Sequence, residues 1–179
     1  MSTLANIERL DSLVEAATRG LFESLGLTVG ELQGEASPSP DDHDIAACIG
    51  FTAPQVQGAI LMTTRKVLVA RAWPRELRHR DPSDREVCDW AGELVNQLLG
   101  RVKNALLPYG LALEQSTPTV VTGKHVHRSP ASTNVARRYF FETSVGSLLV
   151  YFDAAMAKGL SLEGDPTMRP APEGDVHLF

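Results

Sequence analysis

The stretch from Ser83 to Leu107 constrains the fold most, because its apolar and polar residues separate onto opposite faces when it is wound as a helix. At about 100° per residue, the apolar face collects Val87, Ala91, Leu94, Leu98, Val102 and Ala105. The opposite face carries a narrow polar stripe of Asp89, Glu93, Asn96, Gly100 and Lys103. Ser83 and Glu86 have the spacing of a capping box, and Pro108 and Gly110 mark the end. The sequence therefore predicts a long helix that packs one face and offers the polar stripe to a partner.

The remaining segments predict a second long helix, a short helix and several strands. Apolar residues at three- and four-residue steps predict a helix from about Ala5 to Leu25, with Gly26 ending it in the C′ position. A short helix is predicted from Lys66 to about Trp73, ahead of a proline. Extended segments are predicted at residues 27–35, 44–52, 57–64 and 111–122. A polar loop is predicted at 123–136, and a closing hairpin is predicted within 137–154.

These elements predict an α+β fold, in which two long amphipathic helices pack on one face of a mainly antiparallel sheet. The chain has 179 residues, which suits one domain, and we place that domain at residues 1–156. Residues 157–179 contain Pro166, Pro170 and Pro172 among Gly, Glu and Asp residues. We therefore expect this segment to be a loosely ordered C-terminal tail.

Charge and hydropathy argue against several classes of function. The chain has 17 basic and 22 acidic residues, a net charge of -5 and no basic cluster, so no nucleic-acid partner is expected. No apolar run approaches membrane-spanning length and no signal peptide is evident, so we expect no membrane association and a cytoplasmic location. Cys48 and Cys88 are far apart and outside any C-x-x-C pair, so no disulfide is expected.

Other polar groups offer weaker candidate sites. His125 and His127 could bind a metal from one side of a strand, and residues 41–44 form an acidic cluster around His43. Neither group has a third ligand at convincing spacing, so we interpret both as solvated loops. The first helix repeats the spacing of the polar stripe as Asp11, Glu15, Thr18 and Phe22, which we interpret as a solvated face. No G-x-S-x-G, P-loop or H-E-x-x-H motif is present.

Several motifs in the right order together resemble a known family. They are Asp89-x3-Glu93-x2-Asn96, then Gly100 and Lys103, then Thr117-Pro-Thr-Val-Val-Thr-Gly123, with Ile49-Gly-Phe-Thr52 and Gly58-Ala-Ile-Leu61 upstream. Over roughly Ser12 to Phe152 the chain resembles the CheC/CheX/FliY family of response-regulator phosphatases, and CheX most closely. The 21 residues between Asn96 and Pro118 are one fewer than the usual family spacing. Only one helix carries a complete E-x-x-N motif, which favours a CheX-like single site. The sequence also lacks the C-terminal domain of a full FliY, so we do not expect a flagellar switch subunit.

The resemblance implies hydrolysis of the aspartyl phosphate on a receiver domain such as CheY. Asn96 would orient the attacking water, and Glu93 would pair with the lysine that receivers keep beside the phosphorylation site. The other implied receiver-docking residues are Asp89, Gly100, Lys103 and Trp90, although Lys103 could be a solvated helix charge and Trp90 a packing residue. No cofactor of its own is expected, Mg2+ would belong to the receiver, and a homodimer is the default. The alternative is a non-catalytic CheX-like dimerising scaffold or adaptor in a signalling complex.

Overall fold

The computed structural model describes residues 3–32, 42–74, 79–126, 133 and 135–163. Its helices are α1 (Thr3–Ser24), α2 (Lys66–Arg71) and α3 (Asp84–Leu106), and a 3-10 turn (Leu107–Tyr109) follows α3. Its strands are β1 (Val29–Leu32), β2 (Ile45–Ala53), β3 (Val56–Thr64), β4 (Glu114–Gln115), β5 (Thr119–Thr122), β6 (Val135–Thr143) and β7 (Gly146–Met156). Within the described residues, no helix is long and apolar enough to cross a membrane.

The seven strands form one antiparallel sheet in the order β1-β6-β7-β3-β2. The remaining edge of β2 pairs with two short strands in succession: β5 lies beside Ile45–Cys48, and β4 lies beside Phe51 and Thr52. Two hairpins, β2–β3 and β6–β7, supply the long central strands, as the sequence predicted. The sheet confirms the predicted α+β class.

Both long helices pack on the same face of this sheet. On β2 the alternate residues Ile45, Ala47, Ile49 and Phe51 are buried, and they join one core with the apolar face of α3. The α1 residues Leu10, Val14, Leu21 and Phe22 belong to the same core. Burial at period 2 in the strands and at helical spacing in α3 gives each element one apolar side, which is why these elements form a two-layer domain.

The ends of α3 are set by local sequence signals. The backbone N–H of Glu86 donates to Oγ of Ser83 at 3.4 Å, and the N–H of Ser83 donates to Oε2 of Glu86 at 2.9 Å. This reciprocal pair is the predicted capping box, and it satisfies two N–H groups that would otherwise lack helical partners. At the other end, Pro108 lies in the 3-10 turn and Gly110 has a φ of 74°, so the helix cannot continue.

The structure differs from the sequence prediction in three segments. The extended region 111–122 is divided into β4 and β5, and β6 already begins at Val135, inside the predicted loop. Residues 127–132 and 134 of that loop lie outside the described residues. The segment 157–163, expected to begin a loose tail, instead packs on α1: Leu162 is 1% exposed, and its N–H donates to Oδ1 of Asn6 at 3.1 Å. The later part of the predicted tail, 164–179, lies outside the described residues.

The interpretation of the acidic cluster around His43 as a solvated loop is also wrong. His43 is 1% exposed, with Nδ1 2.9 Å from Oγ1 of Thr63 and Nε2 3.0 Å from Oγ of Ser147. Oδ1 of Asp44 accepts a 2.6 Å hydrogen bond from the N–H of Lys66, the first residue of α2. Both residues therefore connect β2 to neighbouring elements.

Candidate functional site

The predicted pair Glu93 and Asn96 lies on the outward face of α3. Glu93 is exposed and Asn96 half-buried, while Leu94 and Val95 between them point into the core. Because residues three apart are neighbours on a helix surface, Nδ2 of Asn96 donates to Oε2 of Glu93 at 3.4 Å. A carboxylate and a carboxamide thus stand together on a rigid helix that the core holds in place.

Two glutamines that the sequence analysis did not single out complete this group. Nε2 of Gln97 donates to Oε1 of Glu93 at 2.9 Å, and Nε2 of Gln115 donates to Oδ1 of Asn96 at 2.7 Å. Nζ of Lys103 in turn donates to Oε1 of Gln115 at 3.0 Å. The five side chains form one connected polar network across the surface of α3.

The position of Gln115 depends on the sheet edge. Gln115 is in β4, opposite Phe51 of β2, so the pairing of these strands fixes its backbone. The edge also lies close to α3: a Cβ atom placed on Gly92 would be 3.5 Å from Cγ2 of Val120 and 3.8 Å from Cγ of Pro118. Gln97 could have been found from its four-residue spacing to Glu93, whereas no local signal connects Gln115 with Asn96.

The other predicted docking residues on the stripe have different surroundings. A Cβ atom placed on Gly100 would meet nothing within 4 Å, so this part of the helix surface is open. The side chain of Asp89 is 73% exposed and lies 3.9 Å from Nε of Arg85. Lys103 belongs to the network and is half-buried, so it is not the freely solvated charge that the sequence left open.

Trp90 lies at the contact between α3 and α2. Its Nε1–H donates to the carbonyl oxygen of Ala72 at 3.1 Å, and its ring meets that of Trp73 edge-on, with centroids 5.8 Å apart. The indole is half-buried there and its only polar hydrogen has a partner. These contacts correspond to the packing alternative that the sequence analysis left open.

The matching positions of α1 do not form a second exposed stripe. Thr18 is 0% exposed and donates to the carbonyl oxygen of Val14 at 2.8 Å, and Phe22 is also 0% exposed. Asp11 accepts hydrogen bonds from Arg137 and Tyr139 of β6. The expectation of a solvated face on α1 is therefore wrong, because Thr18 and Phe22 are buried and Asp11 bonds to the sheet.

The described residues contain no group of three or more His, Cys, Asp or Glu side chains that could hold a metal ion. His125 is exposed and has a φ of 57°, and His127 lies outside the described part of the chain. The network on α3 is a group of polar surface side chains whose mutual arrangement is set by hydrogen bonds. Its groups can accept, donate and orient hydrogen bonds without forming a nucleophile–base pair.

The sequence of this region matches a family model. The model is that of chemotaxis phosphatase CheX, and the match extends over residues 45–142, which is more than half of the chain. The chain belongs to the CheX family. The matched region contains α3, β4 and β5, so all five side chains of the network lie within it. No curated protein sequence matches the chain at a significant level.

Solved structures of CheX and CheC-like proteins have the same fold. CheX from Vibrio vulnificus superposes with a TM-score of 0.69 at 21% identity, over 81% of this chain and 95% of that one. A CheC-like protein from Shewanella oneidensis gives 0.66 at 24% identity, over 86% and 99%. A CheX–CheY–BeF3–Mg2+ complex from Borrelia burgdorferi gives 0.54 at 13% identity, over 84% and 97%. The CheX family fold thus accounts for nearly all of each relative's chain.

Proposed function

We propose that this protein is a phosphatase that hydrolyses the aspartyl phosphate of a response-regulator receiver domain. The observation that carries the proposal is the exposed contact between Glu93 and Asn96, 3.4 Å apart, on the α3 helix of a CheX family chain. The surface at Gly100 is open, so a second protein has room to approach this pair. The partner is the phosphorylated receiver domain itself.

Asn96 is the residue assigned to the attacking water. An acyl phosphate is already an activated substrate, and phosphoryl transfer chiefly requires an in-line nucleophile and stabilised charge. A carboxamide both donates and accepts hydrogen bonds, so Asn96 can hold one water in line with the phosphorus atom. Its place on a buried, capped helix fixes the side chain better than a loop would.

Glu93 is assigned to docking. Its carboxylate is exposed at the centre of the polar stripe, and an ion pair with the receiver lysine beside the phosphorylation site would set how deeply Asn96 enters. Asp89, one turn earlier, offers a second acidic contact at the rim. The two main residues thus have separate tasks, because Glu93 binds the receiver whereas Asn96 acts on the water.

The metal in this reaction is assigned to the substrate. The solved complex of CheX with CheY also contains BeF3 and Mg2+. By analogy, Mg2+ would stay with the receiver of this protein, and Glu93 and Asn96 would need no metal of their own. We further propose that the protein is cytoplasmic and that it forms a homodimer. Sedimentation equilibrium of the full chain would test the homodimer directly.

To test the proposal, CheY-type receiver domains from the same genome are phosphorylated, and the loss of phosphate from them is followed over time. Asn96→Ala should slow the loss by about 100-fold, because a misplaced water costs that order of rate, while the affinity for the receiver changes little. Glu93→Ala should weaken receiver binding by about 10-fold, the effect of losing one charge-assisted contact. Asn104→Ala is the matched control, since it removes a carboxamide from the same helix outside the network.

Three results would contradict the proposal. One is a rate with Asn96→Ala equal to that of the wild-type protein. A second is equal receiver binding by all variants, which would remove the division of tasks between Glu93 and Asn96. The third is receiver binding without faster phosphate loss by the wild-type chain, and this result would favour the non-catalytic scaffold.

A further inference from the structure

We infer that Lys103 and Gln115 are positioning residues, which together fix the direction in which the Asn96 carboxamide is presented to the receiver. This inference rests on the proposed function for its catalytic meaning, but its structural part is independent. It gives Lys103 a task other than docking and adds Gln115, a residue outside α3, to the site. The inference is based on which atom donates and which accepts in each hydrogen bond of the network.

Within the network, the hydrogen bonds that run from Lys103 through Gln115 and Asn96 to Glu93 begin and end at groups that can act in only one way. Lys103 is an ammonium group, which only donates, and Glu93 is a carboxylate, which only accepts. Between them lie two carboxamides, Gln115 and Asn96, whose oxygen and nitrogen ends could exchange by a rotation of the amide. Only one arrangement satisfies every contact when the two ends are fixed in this way.

That arrangement is the one in the structure. Lys103 donates to Oε1 of Gln115 at 3.0 Å, so Nε2 of Gln115 is turned towards Asn96. Nε2 of Gln115 donates to Oδ1 of Asn96 at 2.7 Å, so Nδ2 of Asn96 is turned towards Glu93. Reversing either amide would place two donors or two acceptors against each other. Lys103 at one end and Glu93 at the other therefore together determine which atom of Asn96 faces which side of the site.

In this orientation the side-chain oxygen of Asn96 can still accept a hydrogen bond from a water. A carboxamide oxygen has two acceptor sites, and Gln115 occupies one of them. The second can accept a hydrogen bond from a water, while the same bond from Gln115 keeps the plane of the amide fixed. Because Gln115 is held by β4 and not by α3, the side chain of Asn96 is restrained from two separate elements.

Three variants separate this role from a general structural one. Gln115→Ala removes the restraint, and Lys103→Glu replaces the donor with an acceptor, which would draw Nε2 of Gln115 away from Asn96. Lys103→Arg keeps a donor-only group, so it should preserve the direction of the hydrogen bonds to Gln115 and Asn96. Glu114→Ala is the matched control, because Glu114 is exposed and adjacent to Gln115 in β4.

The first measurement is NMR of the full chain without a receiver. The side-chain NH2 signals of Asn96, identified by their loss in Asn96→Ala, should shift and show a lower heteronuclear NOE in Gln115→Ala and Lys103→Glu. They should stay as in the wild-type protein in Lys103→Arg and Glu114→Ala. Unchanged Asn96 signals in both Gln115→Ala and Lys103→Glu would overturn the inference, whether or not the protein is a phosphatase.

The second measurement is phosphate loss from a CheY-type receiver. Gln115→Ala and Lys103→Glu should lower kcat by about 10-fold with KM unchanged, as expected for a misoriented group. Adding Gln115→Ala to Asn96→Ala should cause no further loss, because the two residues act as one unit. Altered NMR signals with an unchanged kcat would overturn the catalytic meaning of the inference. Altered signals in these two variants, together with a wild-type protein that is inactive on every receiver, would instead contradict the proposed function alone.

Discussion

The hydroxyl of Tyr139 on β6 donates a 2.7 Å hydrogen bond to Oδ1 of Asp11 on α1, and this contact holds the helix on the sheet. Arg137 donates to the same carboxylate from Nε at 2.8 Å. Burial and the Asp11 carboxylate together hold the pKa of Tyr139 well above its usual range, so the phenol remains a donor at any physiological pH. Asp11 thus has a structural task, although its position in α1 matches that of the exposed Asp89 in α3.

Asp11→Ala should lower the free energy of unfolding by about 1–3 kcal/mol, because it leaves the buried Tyr139 hydroxyl without an acceptor. Asp89→Ala is the matched control and should change stability little, since that carboxylate is 73% exposed. Urea unfolding of both variants measures the difference. Equal stabilities of the two variants would show that the Asp11 contacts do not hold α1.

The stability of the protein should depend on pH through His43. Burial lowers the pKa of this imidazole below its ordinary value, with Arg65 acting in the same direction and with Asp42 and Asp44 opposing it. A histidine with a lowered pKa in the fold binds its proton more readily in the unfolded chain. The free energy of unfolding should therefore be constant above about pH 7 and fall as the pH drops below about 6.5.

Two variants assign this pH dependence to the imidazole. His43→Gln should be less stable than the wild-type protein at pH 7.5 but should lose less stability between pH 7.5 and pH 5. Thr63→Val removes a hydrogen-bond partner 2.9 Å from Nδ1 while keeping the histidine buried, so its pH dependence should persist. A slope that is the same in His43→Gln as in the wild-type protein would rule out His43 as the group responsible.

The two glycines of α3 should respond differently to substitution. Gly100→Ala should stabilise the protein by about 0.5–1 kcal/mol, because alanine is the better helix former and the site is open. Gly100→Phe should still fold but raise KM for the receiver by more than about 10-fold, since a bulky ring obstructs docking. Gly92→Phe is the contrast, because its ring would collide with Pro118 and Val120 and unfold the protein. A Gly100→Phe protein with the KM of the wild type would show that the receiver does not approach this surface.

The parts of the fold that were predictable from the sequence depend on local signals. The capping box of Ser83 and Glu86 and the residues Pro108 and Gly110 act within a few positions, so both ends of α3 could be placed. The hairpins β2–β3 and β6–β7 are likewise formed by neighbouring segments. Helical spacing also grouped Glu93 with Asn96, because residues three apart share a helix face.

The remaining features depend on contacts between distant segments. Gln115 reaches Asn96 only because β4 pairs with β2 and the same edge packs against α3, and no periodicity in the sequence reports this. Thr18 has the polarity of a surface residue but satisfies its hydroxyl on Val14, which lets it be buried. Burial of a short polar side chain is decided by the element that covers it, and the sequence of the helix alone does not contain that information.

Trp90 provides a prediction that separates packing from docking. Trp90→Phe removes the hydrogen bond to the Ala72 carbonyl while keeping an aromatic ring beside Trp73, so it should lower the free energy of unfolding by about 0.5–1.5 kcal/mol. We expect KM for the receiver to stay unchanged, because the indole N–H faces α2 and not a partner. Urea unfolding and the phosphatase assay on the same preparation measure both quantities. A raised KM at unchanged stability would instead place Trp90 in the receiver interface, since only a direct contact weakens binding without loosening α2.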